Sequence, residues 1–120
     1  MNAKGDGIET NETEASRYYK YAADNNDVES MYIYAGRLYK GTGVNFSKEE
    51  SARYYKMASD YEHIESTYQY SIMLANGTGV PVNKVEAALQ CRRAADLGHV
   101  EAMISYSAKM LSGDEILQLN

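Results

Sequence analysis

The sequence predicts an all-α solenoid of three two-helix repeats, and three features carry that prediction. The first is recurrence at a fixed offset of 36 residues: Arg17-Tyr18-Tyr19-Lys20 returns as Arg53-Tyr54-Tyr55-Lys56, and Gly41-Thr42-Gly43-Val44 as Gly77-Thr78-Gly79-Val80. Ala22, Ala58 and Ala94 keep the same register, as do Asp24, Asp60 and Asp96, and Glu29, Glu65 and Glu101. The second is that each unit contains two runs of helical hydrophobic spacing closed by a glycine turn. The third is length. The 120 residues hold about three such units, near the minimum that a stacked array needs to bury a continuous core. The units run over approximately 11–46, 47–82 and 83–116, in one domain.

Met1 to Thr10 comes first. Lys4-Gly5-Asp6-Gly7-Ile8 aligns with Lys40-Gly41-Thr42-Gly43-Val44, so residues 1–10 read as the tail of a preceding repeat and the chain as a fragment of a longer array. Asn11, Ser47 and Asn83 follow, each with Glu three residues on. That is a capping box or its Asn variant, so a helix is expected to start just after each of them. In the first copy of this helix A, Ala15, Tyr18, Tyr19, Ala22 and Ala23 share one face, and Arg17, Lys20, Tyr21 and Asp24 the other. Asn26 and Gly98 suit the left-handed position after the helix, whereas Glu62 fits it less well and implies mild strain or a different turn. Helix B is expected from Val28, Ile64 and Val100, with acidic Glu29, Glu65 and Glu101 complementing its macrodipole. Its apolar face is Val28, Met31, Tyr32, Ala35, Leu38 and Tyr39. It ends at Gly41, Gly77 and Gly113. Gly43 and Gly79 are expected at positive φ, returning Val44 and Val80 to the core. The third copy lacks the second glycine, so a short terminal helix is expected to replace the turn at Gly113-Asp114-Glu115-Ile116.

Composition narrows the function. A net charge of −5 argues against nucleic acid and against an anionic membrane surface. Cys91 is the only cysteine, which excludes an internal disulfide and favours a reducing compartment. The N-terminus has no apolar leader segment, and no apolar run is long enough to span a bilayer, so a cytoplasmic location is expected. Twelve tyrosines against one phenylalanine and no tryptophan suit a thin two-layer stack, in which a ring is buried and its hydroxyl stays wet.

The paired tyrosines, the Ala-Ala and the Gly-x-Gly-Val turn together resemble the Sel-one-like repeat family (SLR), relatives of the tetratricopeptide repeats. Ala15, Tyr18, Tyr19, Ala22 and Ala23 match the first part of the family pattern, and Leu38, Gly41, Gly43 and Val44 the last. Tyr34, Tyr70 and Tyr106 depart from a favoured Leu, and Gln90 and Cys91 replace the aromatic pair. The lone Cys91 excludes the disulfide-bonded secreted subclass. The resemblance implies a right-handed α/α superhelix, similar to that of tetratricopeptide repeats, that acts as an adaptor in protein assembly. It implies no catalytic residues.

The residues agree that this is not an enzyme. His63 and His99 recur one repeat apart, a spacing near 10 Å in a helical stack and too long for two first-shell metal ligands, so they are expected at solvent-facing turns. Cys91 falls at a core position, as a buried structural thiol. The Gly-x-Gly turns lack the remaining elements of a nucleotide fingerprint. No metal or cofactor is expected. A solenoid binds along the groove lined by one helix of each pair, and the family architecture makes that helix A. Its outward positions are Arg17, Tyr21, Arg53, Met57, Gln90 and Arg93. The arginines favour a protein or extended peptide of acidic character. A structural spacer beside another domain, such as an enzyme, is the alternative. The first repeat is expected to have lost cover around Tyr18, Tyr19, Tyr32 and Tyr39, giving weak self-association at the N-terminal end.

Overall fold

Six helices form in chain order: α1 (Ala3–Asp24), α2 (Val28–Lys40), α3 (Lys48–Asp60), α4 (Ile64–Asn76), α5 (Lys84–Asp96) and α6 (Val100–Leu111). The computed structural model describes the backbone of residues 3–113 and the side chains of residues 11–113, and no strand occurs among the described residues. Each helix packs against its neighbours in sequence, most extensively α2 with α3 and α4 with α5, so the chain is an all-α repeat solenoid.

Local chemistry sets the boundaries. Helices α2, α4 and α6 start at the expected residues. Ser47 and Asn83 cap α3 and α5, accepting the Glu50 and Glu86 amides at 3.1 and 3.0 Å. The return half of the capping box is not made. The Ser47 amide donates instead to the Leu38 carbonyl, and the Asn83 amide to the Leu74 carbonyl, both at 2.9 Å. With that donor used, Glu50 pairs with Arg53 and Glu86 accepts from Gln90.

The first copy differs from expectation. Helix α1 runs unbroken from Ala3 through Asn11, so no helix starts at Asn11 and Lys4 to Ile8 form no turn. Ser47 and Asn83 cap because a bond to the preceding helix holds them extended; inside a continuous helix Asn11 has no extended backbone with which to cap. The short terminal helix expected after Gly113 lies outside the described residues.

The turns follow the steric argument. Asn26 and Glu62 are non-glycine residues at positive φ, 72° and 64°, and Glu62 is the strained position expected from its side chain. Gly41 and Gly77 end their helices in the left-handed region. Gly43 and Gly79 share that region (φ 68° and 74°) and meet a second constraint. A Cβ on Gly43 would sit 2.1 Å from the Glu12 carbonyl oxygen, and one on Gly79 2.2 Å from that of Lys48. The turn at the end of each of these repeats is thus pressed against the same repeat's helix A, in mid-helix for α1 and at the first turn for α3.

The main core comprises Ala23, Met31, Tyr34, Ala35, Leu38, Ala52, Tyr54, Tyr55, Ala58, Tyr70, Met73, Leu74 and Ala87, with Val44 and Val80 packed on it. Polar ties cross it where the alanines bring helices close. Ser51 donates to the Ala35 carbonyl at 2.7 Å. Tyr54 stands edge-on to Tyr34 and donates to Asp24 at 2.7 Å. In the first repeat Arg37 donates to Ser16 (2.7 Å) and to Glu12, and Ser16 to the Thr42 carbonyl (2.6 Å). The second repeat places Met73 and Ala52 at the positions of Arg37 and Ser16, replacing that knot with apolar contact. Cys91 is buried, as expected, in a smaller cluster with Ala94 and Ala102.

Candidate functional site

The six residues expected to line a helix-A groove fall into two groups. Arg17, Tyr21 and Arg53 are exposed, and Met57 is half-buried against the core. Arg17 lies over the Tyr18 ring at 5.7 Å, Arg53 over Tyr54 at 5.3 Å, and Tyr21 stands edge-on to Tyr18. Gln90 and Arg93 serve the scaffold. Arg93 donates to the Ser59 carbonyl at 2.7 Å and to the Ser59 hydroxyl at 3.2 Å, closing the C-terminal end of α3, and also to Gln90. Arg17 pairs with Glu14 and Arg53 with Glu50 one turn away, and Lys20 and Lys56 pair with Asp24 and Asp60. The helix-A face is therefore a charge-balanced lattice. Its pairs are exposed and each contributes only about 0–1 kcal/mol, so a ligand carboxylate can exchange with them but gains little by doing so.

A recess is lined mainly by residues of the second helix of each pair. It is a cleft of about 590 Å³ between α2 and α4, with Tyr55 of α3 among its lining residues. That volume is within the ordinary range for ligand pockets, roughly 300–1,000 Å³. Tyr32 and Ile33 come from α2, and Gln69 and Ile72 from α4. Gly36 lies beside Tyr55: a Cβ there would sit 3.6 Å from the Tyr55 hydroxyl, an ordinary contact distance. Arg37 and Lys40 supply positive charge, and no carboxylate is among the lining residues. Arg37 is held by Ser16 and Glu12, whereas Lys40 makes no ion pair among the described residues. Burial pushes the Tyr55 phenol up to about 12 and raises that of Tyr32, with Glu65 adding a smaller effect in both. Both phenols are thus neutral hydrogen-bond donors at physiological pH.

Helix spacing alone did not point to this cleft. It depends on how far apart two helices sit on a third, and no single-helix pattern carries that distance. Two other residues carry a signal that is readable in their alignment. His63 and His99 align with Asp27, which caps α2 by accepting the Ser30 amide. They are not at open turns but cap α4 and α6 through Nδ1, accepting the Ser66 and Ala102 amides at 3.2 and 3.1 Å. With Nδ1 as acceptor, a neutral ring carries its proton on Nε2. Nε2 of His63 then donates to Glu29 (3.2 Å) and Nε2 of His99 to Glu65 (2.7 Å), each in the preceding repeat. The rings lie over Tyr32 and Tyr68 at 4.9 and 4.4 Å. These histidines are inter-repeat ties, and no group of three or more His, Cys, Asp or Glu side chains suited to a metal occurs among the described residues.

The comparisons agree with this architecture. The chain resembles the structure of a protective antigen of uropathogenic Escherichia coli strains that displays an SLR fold, with a TM-score of 0.79 and 25% identity over 84% of this chain and 22% of that one. A Sel1 repeat protein from Oxalobacter formigenes gives a TM-score of 0.73 and 25% identity over 76% of this chain and 26% of that one. Cysteine-rich protein B of Helicobacter pylori shares the fold, at 0.71 and 20% identity over 75% of this chain and 68% of that one. The chain thus spans about a quarter or less of the first two proteins. No curated protein matches the chain. The Sel1 repeat profile matches residues 1–27, 28–60 and 64–99, and the latter two segments coincide with the closely packed pairs α2–α3 and α4–α5. The chain belongs to the Sel1 repeat family.

Proposed function

We propose that the chain is a protein-interaction scaffold that seats an extended, acidic segment of a partner protein in the cleft between α2 and α4. Sel1 repeat proteins are in general protein-interaction scaffolds and typically non-catalytic. The observation that supports the cleft is its combination of volume and charge: Ile33 and Ile72 among its lining, the phenols of Tyr32 and Tyr55, and Lys40, which makes no ion pair among the described residues. Partner anchors bind best where a pocket excludes water around them, and a lysine there selects a carboxylate. The helix-A row is a second seat, favoured by the Arg17–Tyr18 and Arg53–Tyr54 pairs repeating along one face with Tyr21 exposed beside them. In that seat Arg17, Tyr21, Arg53 and Met57 meet the partner while Gln90 and Arg93 position α3.

Selection of binders from a random-peptide display library tests the assignment, with affinities read by fluorescence anisotropy. Binders enriched in Asp or Glu are expected. Lys40→Glu is expected to weaken them about tenfold or more, while Arg17→Ala with Arg53→Ala changes affinity less than threefold. The reverse pattern places the seat on helix A. Binders indifferent to both changes overturn the proposal.

A further inference from the structure

The cleft between α2 and α4 carries opposite charges at its two ends. Equivalent positions of the two helices line it, Ile33 with Gln69, Gly36 with Ile72 and Lys40 with Asn76, so α2 and α4 run along it in the same direction. Their first turns bring Glu29 and Glu65 to one end. Gln69 of the lining donates to Glu65 at 3.4 Å, and the His63 ring that donates to Glu29 lies 4.9 Å from the ring of Tyr32, another lining residue. The histidines bound to these carboxylates use Nδ1 as a cap acceptor and are neutral, so Glu29 and Glu65 keep their net charge. Burial, and then the charges of Glu65 and Glu29, raise the Tyr32 phenol, so the field of both carboxylates reaches this end of the cleft.

The other end is basic. Arg37 is neutralised by Glu12, but Lys40 follows it, and Lys48 joins from α3. The Lys48 ammonium lies over the ring of Tyr39, which lines the cleft, at 5.3 Å, and over that of Phe46 at 5.5 Å. Glu29 and Lys40 complement the dipole of α2, which accounts for their places on that helix. Lys48 has no such account. It stands in the first turn of α3, where a cation opposes the dipole, and its ammonium is held over the two rings instead. With the cleft as the seat, on which this inference rests, we propose that the partner segment is bipolar: it sets an acidic side chain at Lys40 and Lys48 and a basic one at Glu29 and Glu65. Glu29 and Lys40 are three turns apart on α2, roughly 16 Å, which an extended chain spans in about five residues. A segment with acidic groups at both ends meets repulsion from Glu29 and Glu65, so the order and spacing of charge select among acidic partners.

The display-selected peptides that respond to Lys40→Glu are the probes. Their sequences are expected to carry Lys or Arg about five residues from an Asp or Glu more often than the unselected library does. Double-mutant cycles read by fluorescence anisotropy then pair changes in peptide and protein, with circular dichroism confirming that each variant folds. The double variant Glu29→Gln with Glu65→Gln removes both charges and keeps an acceptor for His63 and His99. This variant and replacement of the peptide's basic residue by Ala are each expected to weaken binding about threefold or more, and the two changes together no more than either alone. Lys48→Gln is expected to couple in the same way to the peptide's acidic residue and to be additive with loss of the basic one. Cleft binders without a basic residue at that spacing, or one whose loss is additive with Glu29→Gln and Glu65→Gln, would overturn the bipolar assignment and leave the seat standing. A selection that yields no binder responding to Lys40→Glu would overturn the seat and the bipolar assignment with it.

Discussion

Replacing Gly79 by Ala probes the tightest steric feature of the repeat. Two costs separate cleanly. The first is conformational: Gly79 sits at φ 74°, and a Cβ in the left-handed region costs about 1 kcal/mol. The second is contact. The new Cβ would lie 2.2 Å from the Lys48 carbonyl oxygen and 2.5 Å from its carbon, both backbone atoms in the first turn of α3. Restoring even 3.0 Å requires the turn and α3 to part by about 0.8 Å. That disturbs the seat of Val80 on the core, and overpacking of this kind costs about 1–3 kcal/mol. The total is about 3 kcal/mol, or roughly 12 °C in melting temperature for a domain of this size. Gly98→Ala is the control. Gly98 also has positive φ (107°), but nothing lies within 4 Å of its added Cβ, so only the conformational cost of about 1 kcal/mol applies. Urea and thermal unfolding of the two variants, followed by circular dichroism, give the comparison. Equal losses from Gly79→Ala and Gly98→Ala would refute the backbone-contact argument.

Other outcomes follow from the caps and the ion pairs. Ser47→Ala should cost about 1 kcal/mol in urea unfolding, because the Glu50 amide loses its acceptor. His99→Ala should cost more than His99→Asn, since Asn keeps a cap for the Ala102 amide and loses the bond to Glu65, whereas Ala loses both; equal costs would mean that the cap contributes nothing. Acid should destabilise the fold through two carboxyls. Hydrogen bonds from Lys20 and then Tyr54 lower the Asp24 carboxyl, and hydrogen bonds from the Ser30 hydroxyl and amide lower that of Asp27, both from an ordinary 3.8. A depressed folded value adds stability that is present above 3.8 and is lost as pH falls through the folded values. Asp24→Asn and Asp27→Asn should each flatten that acid limb in melts taken between pH 6 and 2, and an unchanged limb would contradict the assignment.

Much of the fold was legible because a solenoid repeats its local signals. The 36-residue register fixed where α2, α4 and α6 begin, and the backbone demand at Asn26, Glu62, Gly43 and Gly79 followed from residue type and position. What was not legible depends on which groups meet in space. The contact of Gly43 with the Glu12 carbonyl joins positions 31 residues apart, and no local rule links them. The same holds for His63 with Glu29, although the alignment of both histidines with the cap residue Asp27 carried a readable hint of their role. Asn11 has the residue type of its capping counterparts without their extended backbone. Arg93 looked free on a helix wheel because the wheel omits the Ser59 carbonyl of the neighbouring repeat that it bonds.

The most direct test of the scaffold reading is an amide chemical-shift titration of the 15N-labelled chain with an acidic extended peptide taken from the display selection. The account predicts saturable shifts at Ile33, Gly36, Lys40, Gln69 and Ile72, which line the cleft, and their loss in Lys40→Glu. Shifts confined to Arg17, Tyr21, Arg53 and Met57, or no saturable shifts at all, would contradict it.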